Sequence, residues 1–163
     1  MPEALRAAVV TVSDSVFRGQ RRDGSGPAVA ELLTKNGWTV VDSRVVADDL
    51  GVIAATLREL CGHGMEAIFT TGGTGLSPRD VTPEATRKVL TREIPGLAEH
   101  MRREGSRTTP TALLSRAVAG ISGTTIIVNL PGSPQGAVDS LKAVLPVLPH
   151  AADVAAGRTA HSG

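Results

Sequence analysis

The stretch from Ala67 to Glu84 holds the residues of this chain whose types and spacing could handle an anion. It opens as a short apolar run, Ala67-Ile68-Phe69, bounded by threonine and glycine, which reads as a buried strand. Gly72, Gly73 and Gly75 let the backbone turn sharply and come close to a ligand, because no Cβ stands in the way. Asp80 brings a carboxylate, and Thr82-Pro83 reads as N-cap and first helical residue, with Glu84 in the first turn. Strand, glycine loop, carboxylate and helix start form a layout suited to a nucleotide or another anion. A blander account stands beside it: Asp80 caps the helix and the glycines only make a tight turn.

Smaller groups carry the same ambiguity. Ser13 and Asp14 end an apolar run and are either ligand contacts or turn formers. Of Asp48 and Asp49, one can cap the helix that follows. Ser115 and Arg116 either meet a phosphate or sit on a solvated helix end, and Arg102-Arg103 reads as a solvated face. Pro131-Gly132-Ser133 opens a helix whose free N–H groups suit a phosphate. Asp23-Gly24-Ser25-Gly26 shapes a loop and caps the next helix, or touches the ligand directly. Cys61 and Trp38 read as packing residues.

Other chemistries are excluded by what is missing. No Gly-Lys pair occurs, so there is no Walker A phosphate loop, and no Gly-x-Ser-x-Gly supports a hydrolase triad. His63, His100, His150 and His161 lack metal spacing and read as surface residues, and one cysteine makes no zinc site. Seventeen basic against sixteen acidic side chains leave a formal charge of +1, which argues against nucleic acid or a membrane surface as partner. The single cysteine permits no internal disulfide, which suits a reducing, cytoplasmic setting. Neither a signal peptide nor a membrane-spanning stretch is visible.

These residues must be positioned by alternating elements. Strands are expected over residues 7–12, 38–46 and 67–71, and an antiparallel pair around Ser122-Gly123. Helices are expected over 27–35, from Asp49 to Cys61, over 82–91, 97–104, 109–116 and 134–145, with a tail frayed at its last residues. The alternation predicts one α/β domain over 1–163, with a mostly parallel central sheet and helices on both faces. Ligands bind such sheets beyond the carboxyl ends of the strands, where loops 13–26, 47–49, 71–81 and 131–136 gather.

The ordered set of these loops resembles a known family. Thr71 to Gly75 followed by Pro78-Arg79-Asp80-Val81-Thr82-Pro83-Glu84 is similar to the signature of the molybdenum cofactor biosynthesis proteins of the MogA/MoaB type, related to the gephyrin G domain. Ser13-Asp14-Ser15, Asp23 to Pro27, Val46 to Asp49, Leu114-Ser115-Arg116 and Asn129 to Pro134 resemble the family's other motifs, from about Ala7 to Leu145. Ala47 departs from a common proline, and Ser133 from Asn or Gln. The resemblance implies a three-layer α/β/α fold, a homotrimer and possible contact with molybdenum-insertion proteins. It implies transfer of AMP from ATP to the terminal phosphate of molybdopterin, with pyrophosphate as the second product. A non-catalytic molybdopterin-binding accessory protein is the alternative. A phosphate monoester is largely dianionic at neutral pH, so the reaction needs charge management rather than a base. On that reading Asp48 and Asp80 are catalytic and hold Mg²⁺. Ser13, Asp14, Gly72, Gly73, Thr74, Gly75, Ser115, Pro131, Gly132 and Ser133 bind the substrates, with the amides of Gly72 to Gly75 on anionic oxygens.

Overall fold

A computed structural model of the chain describes residues 4–158. In β1 (Leu5–Val12), Ala7 and Val9 enter one apolar cluster while Ala8 and Val10 enter another. This period of two buries the strand on both faces, as expected for the interior of a parallel sheet. The same holds for β3 (Ala67–Thr71), where Phe69 and Ile68 face opposite ways, and for β6 (Thr125–Leu130). With β2 (Trp38–Val46), β4 (Arg92–Glu93) and β5 (Ala119–Ser122), the described residues form one six-stranded sheet in the order β2-β1-β3-β6-β5-β4. Strands β2, β1, β3 and β6 are mutually parallel; β5 is antiparallel to β6 and to β4.

Helices α2 (Ser25–Lys35), α5 (Pro95–Ser106), α6 (Pro134–Val144) and α7 (Leu148–Ala155) cover one face. Helices α3 (Leu50–Gly62) and α4 (Thr82–Val89) cover the other, so the three-layer α/β/α expectation holds. The first face is centred on Phe69, met edge-on by Trp38 with ring centroids 5.9 Å apart. Fully burying a side chain of that size contributes roughly 1.5–3 kcal/mol, which keeps the sheet rigid under its loops.

Most element boundaries fall within two residues of expectation, because Asn36-Gly37, Asp49 and Pro134 are strong local punctuation. The differences are informative. The expected helix over 109–116 is a single 3₁₀ stretch, Pro110–Leu114. The helix expected over 97–104 begins two residues earlier, at Pro95, which sits in the first turn of α5. Ser13 caps an unexpected turn of helix, α1 (Asp14–Phe17), and β4 is too short to show a period. The tail after Pro149 continues in α7 through Ala155, where Leu148 and Ala152 pack on the core; the expected fraying at the last residues falls outside the described ones.

The four parallel strands end at Val46, Val12, Thr71 and Leu130, all on one edge. All four polar loops therefore converge there.

Candidate active site

The glycine loop leaves β3 by a turn only glycine fits. Gly72 has φ +90°, and a Cβ there would run into the Val12 carbonyl of the neighbouring strand. Gly73 has φ +70°, and its Cβ would run into the Thr82 hydroxyl and lie 3.3 Å from Asp48 Oδ1. Thr82 is fully buried and is not the N-cap expected of it; Val81 holds that position with no side-chain bond. The Thr82 hydroxyl instead donates to Gly72 O at 2.9 Å and its amide to Gly73 O at 3.1 Å, locking the loop to the helix start. The Gly72 amide, expected to hold an anion, donates to Leu130 O. The amides of Gly73, Thr74 and Gly75 donate to no protein acceptor among the described residues, so the arc of free amides is shorter than the sequence suggested.

Two aspartates 34 residues apart clasp each other across the ends of β1 and β2. The Asp14 amide donates to Asp48 Oδ2 at 2.9 Å, and the Asp48 amide donates to Asp14 Oδ1 at 3.0 Å. Arg79, reaching over from the glycine loop, donates twice to Asp14 Oδ2, at 2.7 and 3.1 Å. Its guanidinium, with the Asp48 amide, holds the Asp14 carboxyl below the usual range. Both Asp14 oxygens are thus engaged within the protein. Asp48 is the reverse: burial pushes its carboxyl above the usual range, and the charges of Asp14 and Asp80 add to that. Asp49, not Asp48, caps α3, accepting from the Val52 amide at 2.9 Å.

Asp80 does not cap α4. Its Oδ2 accepts from the Ser77 amide at 3.0 Å, within its own loop, and lies 2.9 Å from where a Gly75 Cβ would stand. Asp48 and Asp80 line the same hollow of about 580 Å³, with Ser13, Gly73 and Ser133 on its walls. Their Oδ1 atoms accept no hydrogen bond among the described residues. Two carboxylates with a free oxygen each, one of them raised in pKa first by burial and then by its neighbours' charge, are a donor set that fits a hard divalent cation.

A second hollow of about 500 Å³ lies on the other side of the loop, between Thr74, Met101, Thr109, Ser115 and Ser133. Ser133, the N-cap of α6, accepts from the Gly136 amide and borders both hollows. Gly132 touches Gly72: a Cβ on it would stand 3.3 Å from the Gly72 Cα. Ser115 Oγ accepts from the Ala117 amide. Asp23 accepts from the Gly26 amide and the Thr11 hydroxyl, which is the loop-shaping role.

Three residues matter more than their sequence context suggested. Arg116 donates from its side chain to Gly75 O, Asp80 O and Glu84, so its guanidinium is engaged within the protein. Arg102 is not on a solvated face: it donates to Ser115 O and Ala117 O and lines the second hollow. Asn129 is fully buried and joins Thr70, Thr86 and the Val118 amide in one polar network beneath the loop. Nothing local marks these roles, because each is made by partners far along the chain. Of the histidines, His63 and His150 are exposed, His100 is half-buried and His161 lies outside the described residues.

Comparison with known proteins places the chain in a family. Residues 8–150 match the family model described as "Probable molybdopterin binding domain". The chain is 37% identical over 158 residues to the molybdopterin adenylyltransferase of Helicobacter pylori (strain J99), covering 95% of this chain and 90% of that protein. It is 40% identical to the molybdenum cofactor biosynthesis bifunctional protein of Chlorobaculum tepidum over 90% of this chain, but spans only 47% of that protein's length. Among solved structures, the molybdopterin biosynthesis enzyme MoaB of Thermus thermophilus superposes with a TM-score of 0.89 at 52% identity, covering 94% of this chain and 97% of that one. Among the described residues no helix is long and apolar enough to cross a membrane.

Proposed function

Since the chain belongs to the molybdopterin binding domain family, we propose that it transfers AMP from ATP to the terminal phosphate of molybdopterin and releases pyrophosphate. The observation that carries this reading is the pair of carboxylates, Asp48 and Asp80, lining one hollow beside a glycine loop whose Gly73, Thr74 and Gly75 amides donate to no protein acceptor among the described residues. The similarity to a protein named molybdopterin adenylyltransferase over nearly the full length of both chains supports the same reaction.

The chemistry suits the residues. The attacking phosphate is already largely dianionic near neutral pH, so no side chain must take its proton. The obstacle is bringing two anions together in line, which is a matter of positioning and charge. The free amides of Gly73 to Gly75 point partial positive charge at anionic oxygens, at a fixed geometry that costs no reorganisation. Thr74, 6% exposed, is held by the Arg116 amide donating to its carbonyl. Asp48 and Asp80 would hold Mg²⁺ through their free oxygens. Bound there, it would neutralise charge between attacking and leaving oxygens. Ser13, Gly132 and Ser133 close the hollow, while Pro131 and Ser115 line the neighbouring one. The Asp14 carboxylate acts by bracing Asp48 rather than by meeting substrate. The same reading takes the protein to be a cytoplasmic homotrimer working beside molybdenum-insertion proteins, and light scattering of the purified chain checks the oligomer.

The deciding experiment supplies purified protein with molybdopterin, Mg²⁺ and α-labelled ATP, and follows adenylylated pterin and pyrophosphate together. Equal formation of both is expected. Tight molybdopterin binding with no transfer would replace this reading with a non-catalytic binding protein.

A further inference from the structure

Arg116 sits at the entry to β5, on the far side of the glycine loop from Asp48. Four of its N–H donors reach into one excursion of chain. The backbone amide donates to Thr74 O at 2.8 Å, Nε to Gly75 O at 2.8 Å, Nη2 to Asp80 O at 2.6 Å and Nη1 to Glu84 Oε2 at 2.7 Å. The three acceptors of its side chain lie 32 to 41 residues away along the chain. They bracket the segment between Gly75 and Asp80, whose residues 76–79 are all exposed. Apart from Arg116, that segment is held by the Ser77–Asp80 turn and by the exposed Arg79–Asp14 pair. Its two ends are therefore tied to a single guanidinium.

The guanidinium is itself fixed from behind. Arg102, from α5, donates to Ser115 O at 3.3 Å and to Ala117 O at 2.9 Å, the carbonyls that flank Arg116. Glu84 supplies the countercharge from the first turn of α4; Arg116 in turn holds the Glu84 carboxyl below the usual range. A planar fork of donors can hold two carbonyls at a set spacing; a lysine ammonium, a point donor on a flexible stem, cannot.

We infer that Arg116 is a positioning residue for the proposed adenylyl transfer: by binding Gly75 O and Asp80 O together it sets the distance between the loop amides and the Asp80 carboxylate. It acts through Asp80 and touches no substrate. This inference rests on the proposed function for its catalytic part only; the loop-setting part stands on the geometry.

The test uses Arg116→Gln in the full-length protein, with Arg116→Lys, which keeps the charge and loses the fork, should the first variant not fold. Two readouts are taken. Hydrogen exchange of the bonded loop amides of Ser77, Arg79 and Asp80 should speed up about 10-fold or more, while amides in β1 and β3 keep their protection. In a double-mutant cycle, Arg116→Gln should lower kcat about 30- to 100-fold in the wild-type background and less than about 3-fold once Asp80 is Asn, because both changes remove the same positioned group. The Mg²⁺ concentration at half-maximal rate should rise about 10-fold in the single variant. Unchanged exchange of those three loop amides, or kcat losses that multiply through the cycle, would overturn the inference. Absence of transfer by the unmodified protein would sink the proposed function instead, and exchange alone would then decide whether Arg116 sets the loop.

Discussion

The hollow holding Asp48 and Asp80 and the hollow beside α5 lie on opposite sides of the glycine loop and share Ser133, yet they are lined by different chemistry. The first is walled by aspartates and backbone, with Arg21 and Arg22 at its border. The second is walled mainly by threonines, Met101 and leucines, with Arg102 and Asp139 its only charged lining among the described residues and Leu76 and Leu114 exposed at its rim. In the first, half-buried Asp48 has its carboxyl held above the usual range, first by burial and then by the charges of Asp14 and Asp80. The second offers apolar surface and hydroxyls, which suit the uncharged body of a substrate. The contrast suggests a division of labour: charge handling on one side of the loop, recognition on the other, with the loop as the shared wall.

Three substitutions would break or sharpen that division. The largest effect is expected from Asp80→Asn. It keeps the acceptor for the Ser77 amide, so melting temperature should hold, while kcat for adenylyl transfer falls about 100- to 1,000-fold. Molybdopterin affinity by titration should change little. An equal loss of kcat from a change in the second hollow would erase the contrast.

Gly73→Ala strikes the shared wall. Positive φ costs about 1–2 kcal/mol for an L-residue, and pushing the Thr82 hydroxyl aside adds about 1–3 kcal/mol. Urea unfolding should show that loss, with binding and transfer failing together. Retention of either function would mean the two hollows do not depend on one loop.

Thr109→Val, in the second hollow, is milder. Its hydroxyl bonds no protein group among the described residues. KM for one substrate should rise about 3- to 10-fold with kcat unchanged, the signature of lost uniform binding. A fall in kcat at constant KM would place chemistry where recognition is expected.

The smallest effect is on pH dependence. Asp14 and Glu84 have carboxyls lowered by Arg79 and Arg116, respectively. Their pairings therefore stabilise the protein above the ordinary carboxylate pKa of about 4 and are lost as pH falls through the lowered values. Asp48 has the opposite sign. Its raised value means that its ionisation costs stability as pH rises from the ordinary value through the folded one. Glu84→Gln should flatten the acid limb of a urea-midpoint against pH curve by less than about 1 kcal/mol, since both side chains of that pair are over a third exposed. Asp48→Asn should raise the midpoint at neutral pH. A lowered midpoint would show that its clasp with Asp14 outweighs the burial of its charge.

Much of this was legible before any coordinates. Glycines at positions 72 and 73 announced a turn, Asp49 a cap, and Ser122-Gly123 a hairpin, because each signal is local to a few residues. Thr82 misled because a threonine before proline looks like a cap; the crowding of Gly72 and Gly73 against it gave its hydroxyl a better acceptor. The α7 helix was missed because an alanine-rich tail declares no amphipathic face until Leu148 and Ala152 meet the core.

The sequence by itself determined every strand but β4, the glycine loop and the family resemblance, from which Asp48 and Asp80 are proposed as catalytic. Periodicity, backbone preference and motif order are all properties of short segments. Only the tertiary structure decided which charges are spent. Asp14 clasps Asp48 across 34 residues, and Arg116 grips Asp80 across 36. Those pairings exist because β2, β1, β3 and β6 bring their carboxyl ends to one edge. An ion pair or hydrogen bond formed at that edge depends on strand order, which no local signal encodes.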